Sequence, residues 1–480
     1  MNTPAESVFP LRRSLGLGHA TAVVVGIIIG ASIFVQPSVI TGQMRTPGGV
    51  LAVWATAGLL TMIGALVIAE LSSAFTRGAG VYTYLTEAYS PALGFLWGWA
   101  MFWTMHSGIV AAIAVICARY VGTFVPLGDA GTRAVAVAAI VVLSTVNYRG
   151  LRQGSAVQTA LTIMKVLAIV LIVALAFTIG NAVAGAAPGL AATSAAAPAS
   201  STAAAVAPVA SDTRAFVVAL IAGLFAFGGW HMVSYTADET INPARTIPRA
   251  LAIGTLTVTA LYVALNAAYL HVLPLEKVSA STRVAADFAD AVLGGRGGEL
   301  MSALVILSTL GALNGVILTG PRVYRTMSAD GLLFNWVGAV HPAFGTPHRA
   351  IVLQGVWSSL LVLTGSYRVL FTRVVYTEWI FFALIAASLV LLRRRTDYAP
   401  AFRMWGYPML PALFVVASVG IVVNQVVNEP VESMTGLLLV ASGLPVYFLW
   451  ARKRTSISHS SRNQSSSNQS STSNTRSAGT

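Results

Sequence analysis

The sequence predicts an all-α polytopic membrane protein of about twelve spans. Three observations predict it. Hydrophobic residues make up 56% of the 480 residues and charged residues only 9%, against about 25% charged in a soluble domain. Apolar stretches of about 20 residues, enough to cross a bilayer, recur along almost the whole chain. Lys and Arg are also divided unevenly between alternate connections. The side of the N-terminus holds 19 of them and the opposite side nine, with Lys165 inside a span. This positive-inside bias places both termini in the cytoplasm and accounts for the net charge of +13 without a nucleic-acid partner. The ten-residue alternating segments of a β-barrel are missing.

In order, residues 1–13 form a cytoplasmic N-terminus carrying Arg12-Arg13. A full span follows without a small-residue cleavage site, so no cleaved signal is expected. Spans are expected at 17–41, 50–73, 92–121, 133–149, 157–180, 213–240, 248–272, 298–325, 350–366, 369–392, 407–427 and 433–451. Residues 181–212, Ala/Pro/Ser-rich, read as an external loop, and 455–480, Ser/Asn-rich, as a disordered cytoplasmic tail. One cysteine, Cys117, allows neither an internal disulfide nor a cysteine metal site. No metal and no cofactor are expected.

Two spans carry matched interruptions. The first reads Gly26-Ile27-Ile28-Ile29-Gly30-Ala31-Ser32-Ile33-Phe34, and the second Phe225-Ala226-Phe227-Gly228-Gly229-Trp230. Glycine weakens a helix. Within a bilayer, broken backbone survives only where protein or a polar cavity surrounds it. Paired broken spans are the best sequence pointer to a transporter's binding site. A broken helix offers free N–H groups on one half and free C=O groups on the other, which attract an anion and a cation. A pocket between two such breaks suits the carboxylate and amino group of an amino acid zwitterion. Gly30, Ala31 and Ser32 allow close approach, and Phe225, Phe227 and Trp230 supply apolar walls. The alternative is helix packing, because Gly26 and Gly30 also form a small-xxx-small pair.

The segment Gly-Ile-Ile-Ile-Gly-Ala-Ser-Ile-Phe-Val-Gln-Pro at 26–37 resembles the first span of the amino acid–polyamine–organocation superfamily. Phe225 to Trp230, followed by Asp238-Glu239 and Ile241-Asn242-Pro243, resembles its L-type amino acid transporter branch. So do Ala69-Glu70-Leu71, the run Gly80 to Tyr84, Asn314-Gly315 with Arg322, and the run Ser442 to Phe448. The resemblance implies a LeuT-type fold. Its inverted repeats would be 14–180 (spans 1–5) and 213–395 (spans 6–10), with two additional helices at 396–454 and spans 1 and 6 unwound mid-membrane. It implies amino acid transport by alternating access, usually without sodium. By match, Ile29, Gly30, Ala31, Ser32 and Ile33 hold the substrate carboxylate, Phe225, Ala226, Phe227 and Gly228 hold the amino group, and Phe225 closes as a gate. The family's first motif usually has Gly at the position of Ser32, whose hydroxyl narrows the pocket or adds a hydrogen bond. Animal members carry a cysteine after span three that ties them to a single-span partner. Here the stretch reads Val125-Pro126-Leu127-Gly128, and no disulfide-linked heavy subunit is expected.

Lys165 lies about nine residues, or about 13 Å, into span five. A charge at that depth is functional unless it snorkels to the surface. By resemblance its amine stands where sodium-coupled relatives bind an ion, and bridges the first broken helix to span eight at Ser308. It is then a fixed cation or a proton switch. Glu378 in span ten has three readings: a proton site, a counter-ion for a cationic substrate, or a partner of Arg373. His106 is either a pocket wall or a histidine satisfied by helix contacts, and His231 follows the second break directly, placed to cap its free carbonyls. Glu70, Arg77 and Glu87 read as a cytoplasmic gate network or as solvated loop charges.

The function expected is a sodium-independent amino acid exchanger or proton symporter in the cell's inner (plasma) membrane. Its partners are a small amino acid and the lipid bilayer. A sodium-coupled symporter and a non-transporting amino acid sensor are the alternatives. An intramembrane enzyme would need paired carboxylates, a metal set or an activated nucleophile, and no His-Glu-x-x-His or facing carboxylate pair is present.

Overall fold

A computed structural model describes residues 11, 13–186, 212–281, 283–365 and 376–450. The described residues are helical throughout, with a single isolated parallel bridge between Leu15 and Thr240. We number the helices α1 (Leu17–Ile28), α2 (Ser32–Gln43), α3 (Pro47–Ala74), α4 (Val81–Ala88), α5 (Pro91–Val121), α6 (Asp129–Arg149), α7 (Leu151–Ala186) and α8 (Asp212–Ala226). A 3₁₀ segment, Trp230–Glu239, follows α8. Then come α9 (Pro243–Val272), α10 (Leu275–Ala280), α11 (Val284–Leu293), α12 (Gly297–Thr319), α13 (Pro321–Ala329), α14 (His348–Thr364), α15 (Thr377–Leu392), α16 (Met409–Asn428) and α17 (Pro430–Trp450).

Every expected span holds helix. Nine of the described helical stretches are long and apolar enough to cross a membrane, or ten with the bent pair α1 and α2. The others, α14 with 17 residues and α15 with 16, are shorter. The structure corrects three boundaries. α7 starts at Leu151, not 157, which sets Lys165 further from the helix start. Residues 181–186, expected in a loop, continue α7, and 187–211 lie outside the described residues. α15 starts at Thr377, and 366–375, with the Arg373 expected beside Glu378, lie outside the described residues.

Local chemistry fixes the helix starts. Pro47 opens α3 behind Thr46, whose Oγ1 accepts from Gly49 N at 3.1 Å. Pro91 opens α5 behind Ser90 in the same way, the position where a proline's missing N–H costs nothing. Outward faces carry Val141, Leu167, Leu171, Val416 and Leu438, all exposed. Apolar side chains displayed along whole helices suit a lipid solvent rather than water.

Candidate functional site

The first span breaks at Ile29–Ala31, and its halves meet at 48°. The halves belong to different neighbourhoods. α1 packs against α7, α9 and α12, while α2 packs against α8 and α10. Gly30 N turns back to Ile28 O at 2.8 Å, which ends the helical pattern. No backbone carbonyl accepts from the N–H groups of Ala31, Ser32 or Ile33. These are the orphan donors of a helix N-terminus.

The second break follows α8. Phe227 N and Gly228 N bond three residues back, to Leu224 O and Phe225 O, both at 3.2 Å. Gly229 then takes φ +92°, and a Cβ there would stand 2.4 Å from Ile27 Cγ2. Only glycine permits both that dihedral and that approach of the two breaks. The chain runs on as a 3₁₀ segment within the span expected over 213–240.

Two residues tie the breaks in place. Lys165 Nζ donates to Gly26 O at 3.0 Å, Ile29 O at 2.8 Å and Ser308 O at 2.9 Å. All three of its N–H bonds are used, and the side chain is fully buried, so it does not snorkel. Ser308 Oγ adds bonds toward Ile29 O at 3.0 Å and Gly30 O at 3.1 Å. Tyr262 joins the breaks to each other: its hydroxyl lies 2.9 Å from Ile28 O and 3.2 Å from Ala226 O. Sequence reasoning missed Tyr262, one tyrosine in an apolar span with no motif around it. Trp54, also missed, stands edge-on to it at 5.4 Å between ring centroids.

Between the breaks lies a cavity of about 190 Å³. Gly30, Ala31, Ser32, Phe225, Ala226, Gly228 and Trp230 line it, with Ile109, Ile113, Ile116, Glu378, Trp379 and Phe382 opposite. Two other cavities, about 220 and 370 Å³, are lined by apolar and aromatic side chains without a charged group among the described residues. Ile29 and Ile33 are fully buried in the core, so those positions offer backbone alone. Phe227 is not the wall expected. It is buried and packs on Tyr262 at 4.9 Å between centroids. The two glycines of the first motif also part ways. A Cβ on Gly26 would meet Gln158 Nε2 at 2.2 Å and Thr162 Oγ1 at 2.3 Å, whereas one on Gly30 meets nothing nearer than Ala312 Cβ at 3.6 Å. Gly26 is a packing glycine, and Gly30 faces the cavity.

His106 does not line the cavity. Its Nε2 sits 2.9 Å from Val316 O, the satisfied-histidine arrangement. His231 does not cap carbonyls, because neither ring nitrogen has a hydrogen-bond partner. Its ring is 1% exposed, and its Nε2 is 3.5 Å from Glu378 Oε1.

On the side of the N-terminus, a polar network links the helix ends. Ser14 N and Leu15 N donate to Glu239 O at 2.8 and 3.0 Å. Arg322 grips the Glu239 carboxylate with two bonds of 2.7 and 3.1 Å, both side chains being almost fully buried. Asp238 accepts from Gly78 N at 3.1 Å and faces Arg325 at 3.4 Å. Glu70 is no loop charge. It is fully buried and binds Arg393 at 2.5 Å and Met404 N at 2.8 Å. Arg77 and Glu87 are exposed.

A helical membrane protein with a small cavity between two interrupted helices is the class of molecule these features define. The amino acid permease family model matches residues 15–449. The chain belongs to that family, and with it to the amino acid–polyamine–organocation superfamily beside its L-type branch. Among similar proteins, the serine/threonine exchanger SteT of Bacillus subtilis is 28% identical over 93% of this chain and 98% of its own length. The b(0,+)-type amino acid transporter 1 of Homo sapiens is 30% identical over 92% of this chain and 90% of its own. The human large neutral amino acids transporter small subunit 2 is 28% identical over 92% and 82%. These relatives are transporters, not enzymes.

Proposed function

We propose that this protein is a secondary active amino acid transporter, a sodium-independent exchanger or proton symporter working by alternating access. The observation that carries the reading is the cavity held between two helix breaks, with backbone donors left without a backbone partner on the first. The N–H groups of Ala31, Ser32 and Ile33 receive the substrate carboxylate, since helix N-termini favour anions. The carbonyl end at Phe225–Ala226 receives the amino group, and Phe225 closes over it. The names of the relatives, for serine/threonine and for large neutral amino acids, support a neutral substrate, as do the isoleucine and aromatic walls. The repeats are spans 1–5 and 6–10 of a LeuT-type fold, and the N-terminal network is the cytoplasmic seal in the cell's inner membrane. Cys117, 2% exposed within α5, supports a chain that works without a disulfide-linked subunit.

Lys165 supports sodium independence. Its ammonium holds the carbonyls of Gly26, Ile29 and Ser308, and a sodium ion would compete for those same oxygens. Uptake of a panel of labelled amino acids into proteoliposomes, with sodium or choline outside, tests both parts. Carriage of at least one amino acid at equal initial rates in the two salts is expected. A panel with no uptake and no exchange overturns the reading.

A further inference from the structure

The cavity holds one acid that the mechanism above leaves unused. Glu378 is the one charged side chain in its lining among the described residues. It sits in the first turn of α15, its side chain 14% exposed. Lys165 is not its partner, because that amine is spent on three carbonyls. What faces Glu378 is His231 Nε2 at 3.5 Å, just beyond a hydrogen bond. Both nitrogens of that buried ring are without a hydrogen-bond partner. The ring is enclosed by Trp97, Trp230, Tyr235 and Phe382, with centroids 4.9–5.9 Å away. The other titratable groups near the pair are His106 on α5 and Tyr235 on the same 3₁₀ segment, with Tyr324 on α13 and Tyr84 on α4 next to Tyr235. His106 is engaged by the Val316 carbonyl, and phenols titrate far above neutral pH.

Resting on the transporter reading, we infer that His231 and Glu378 form a proton-binding site in the cavity wall and that one proton on this pair travels with each neutral amino acid. Without a proton the pair carries one negative charge in apolar surroundings, which burial disfavours. With one proton its net charge is zero. Either the carboxylic acid donates its O–H to neutral Nε2, or an imidazolium faces a carboxylate. Glu378 also touches the cavity. A substrate side chain lodged against Glu378, Trp379 and Phe382 expels the remaining water from the carboxylate. The occupied cavity therefore holds the proton more tightly than the empty one, and by reciprocity the proton tightens substrate binding. The proton enters from water on one side, bonds to the pair, and is released to water on the other side when the substrate leaves.

The test uses the full chain in sodium-free proteoliposomes with labelled leucine and serine. An inward pH gradient of one unit should accumulate the carried amino acid about tenfold, the limit for one proton per substrate. Trapped pyranine should record one proton entering per substrate. Glu378→Gln should bring the accumulation ratio down to one and the proton count to zero, and Glu378→Asp should restore part of both. His231→Phe keeps the ring volume without its nitrogens and is read the same way, which decides the matter if Glu378→Gln no longer folds. A wild type that exchanges amino acids without moving protons overturns this inference and leaves the transporter reading standing. A wild type that carries lysine independently of pH, with lysine transport alone lost in Glu378→Gln, also overturns it, since the carboxylate is then a counter-ion for the substrate.

Discussion

Gly26 and Gly30 show how one sequence motif divides into two physical roles. Gly26 is in contact with Gln158 and Thr162 of α7, so Gly26→Ala forces a methyl group into occupied space. Overpacking of this kind costs about 1–3 kcal/mol, and the variant should unfold at lower temperature in detergent. Gly30 has space beside Ala312. Gly30→Val should therefore keep its melting temperature and lose substrate binding, because its branched side chain enters the cavity where the carboxylate is proposed to sit. Thermal melts and a binding assay on both variants separate the roles, and unchanged affinity in Gly30→Val removes the site from that break. Lys165 is a second case at this scale. Lys165→Ala removes the donor to the carbonyls of Gly26 and Ser308 and leaves Ile29 O to Ser308 Oγ alone, and an unpaired buried group costs about 1–3 kcal/mol. Uptake should fall strongly in a protein that still reaches the membrane. If the amine is a proton switch, wild-type uptake titrates with pH and the variant's does not. If it is a fixed cation, both follow pH alike and the variant is slower. Normal uptake by the variant at every pH would show that the link is dispensable.

At the scale of elements, the two breaks act as one unit only if something couples them. Tyr262 does so from α9, touching the carbonyl of Ile28 before the first break and that of Ala226 before the second. Its single proton serves two acceptors, so the bond is shared. Tyr262→Phe preserves the edge contact with Trp54 and removes only the hydroxyl. A loss of about 1 kcal/mol in stability is expected, with a larger loss in uptake, since the breaks then drift in register. An uptake rate equal to wild type would mean that packing alone holds them. The breaks themselves were legible in the sequence, because Gly-rich interruptions within apolar runs contradict the local helical pattern. Their couplers were not legible. Tyr262 and Trp54 look like ordinary apolar-face aromatics until α3 and α9 are packed side by side. The direction of Phe227, away from the cavity, was also hidden, because the turn after α8 decides which successive side chains face inward. Span boundaries erred where composition changes gradually, as at the ends of α7.

The whole molecule is tied together on the side of its N-terminus by pairs far apart in sequence. Glu70, Glu239 and Arg322 could be marked individually along the chain, but which acid meets which base depends on the packing of α3, α12, α13 and the 3₁₀ segment. The pairs are not equal. Arg395–Asp397 is exposed on both sides, and solvent screening leaves it little influence. Glu239–Arg322 is almost fully buried and doubly bonded, and Arg322 also donates to Leu318 O. Removing one partner of such a pair strands a buried charge, at a cost of about 3–5 kcal/mol. The pair joins the start of the chain, through the Glu239 carbonyl, to α13, so in the proposed alternating-access cycle opening toward this side breaks it. Arg322→Ala should therefore shift the population toward the state open on this side. The check is labelling of Ser234→Cys, a fully buried position on the same 3₁₀ segment as Glu239, in a Cys117→Ser background. A membrane-impermeant maleimide applied from the side of the N-terminus should react at least about tenfold faster when Arg322 is Ala, as a shift of 1.4 kcal/mol or more requires. Pairing Arg322→Met with Glu239→Gln removes both charges and should return the rate most of the way to wild type. Equal rates in Arg322→Ala and wild type would mean that the latch is static structure and that the seal lies elsewhere.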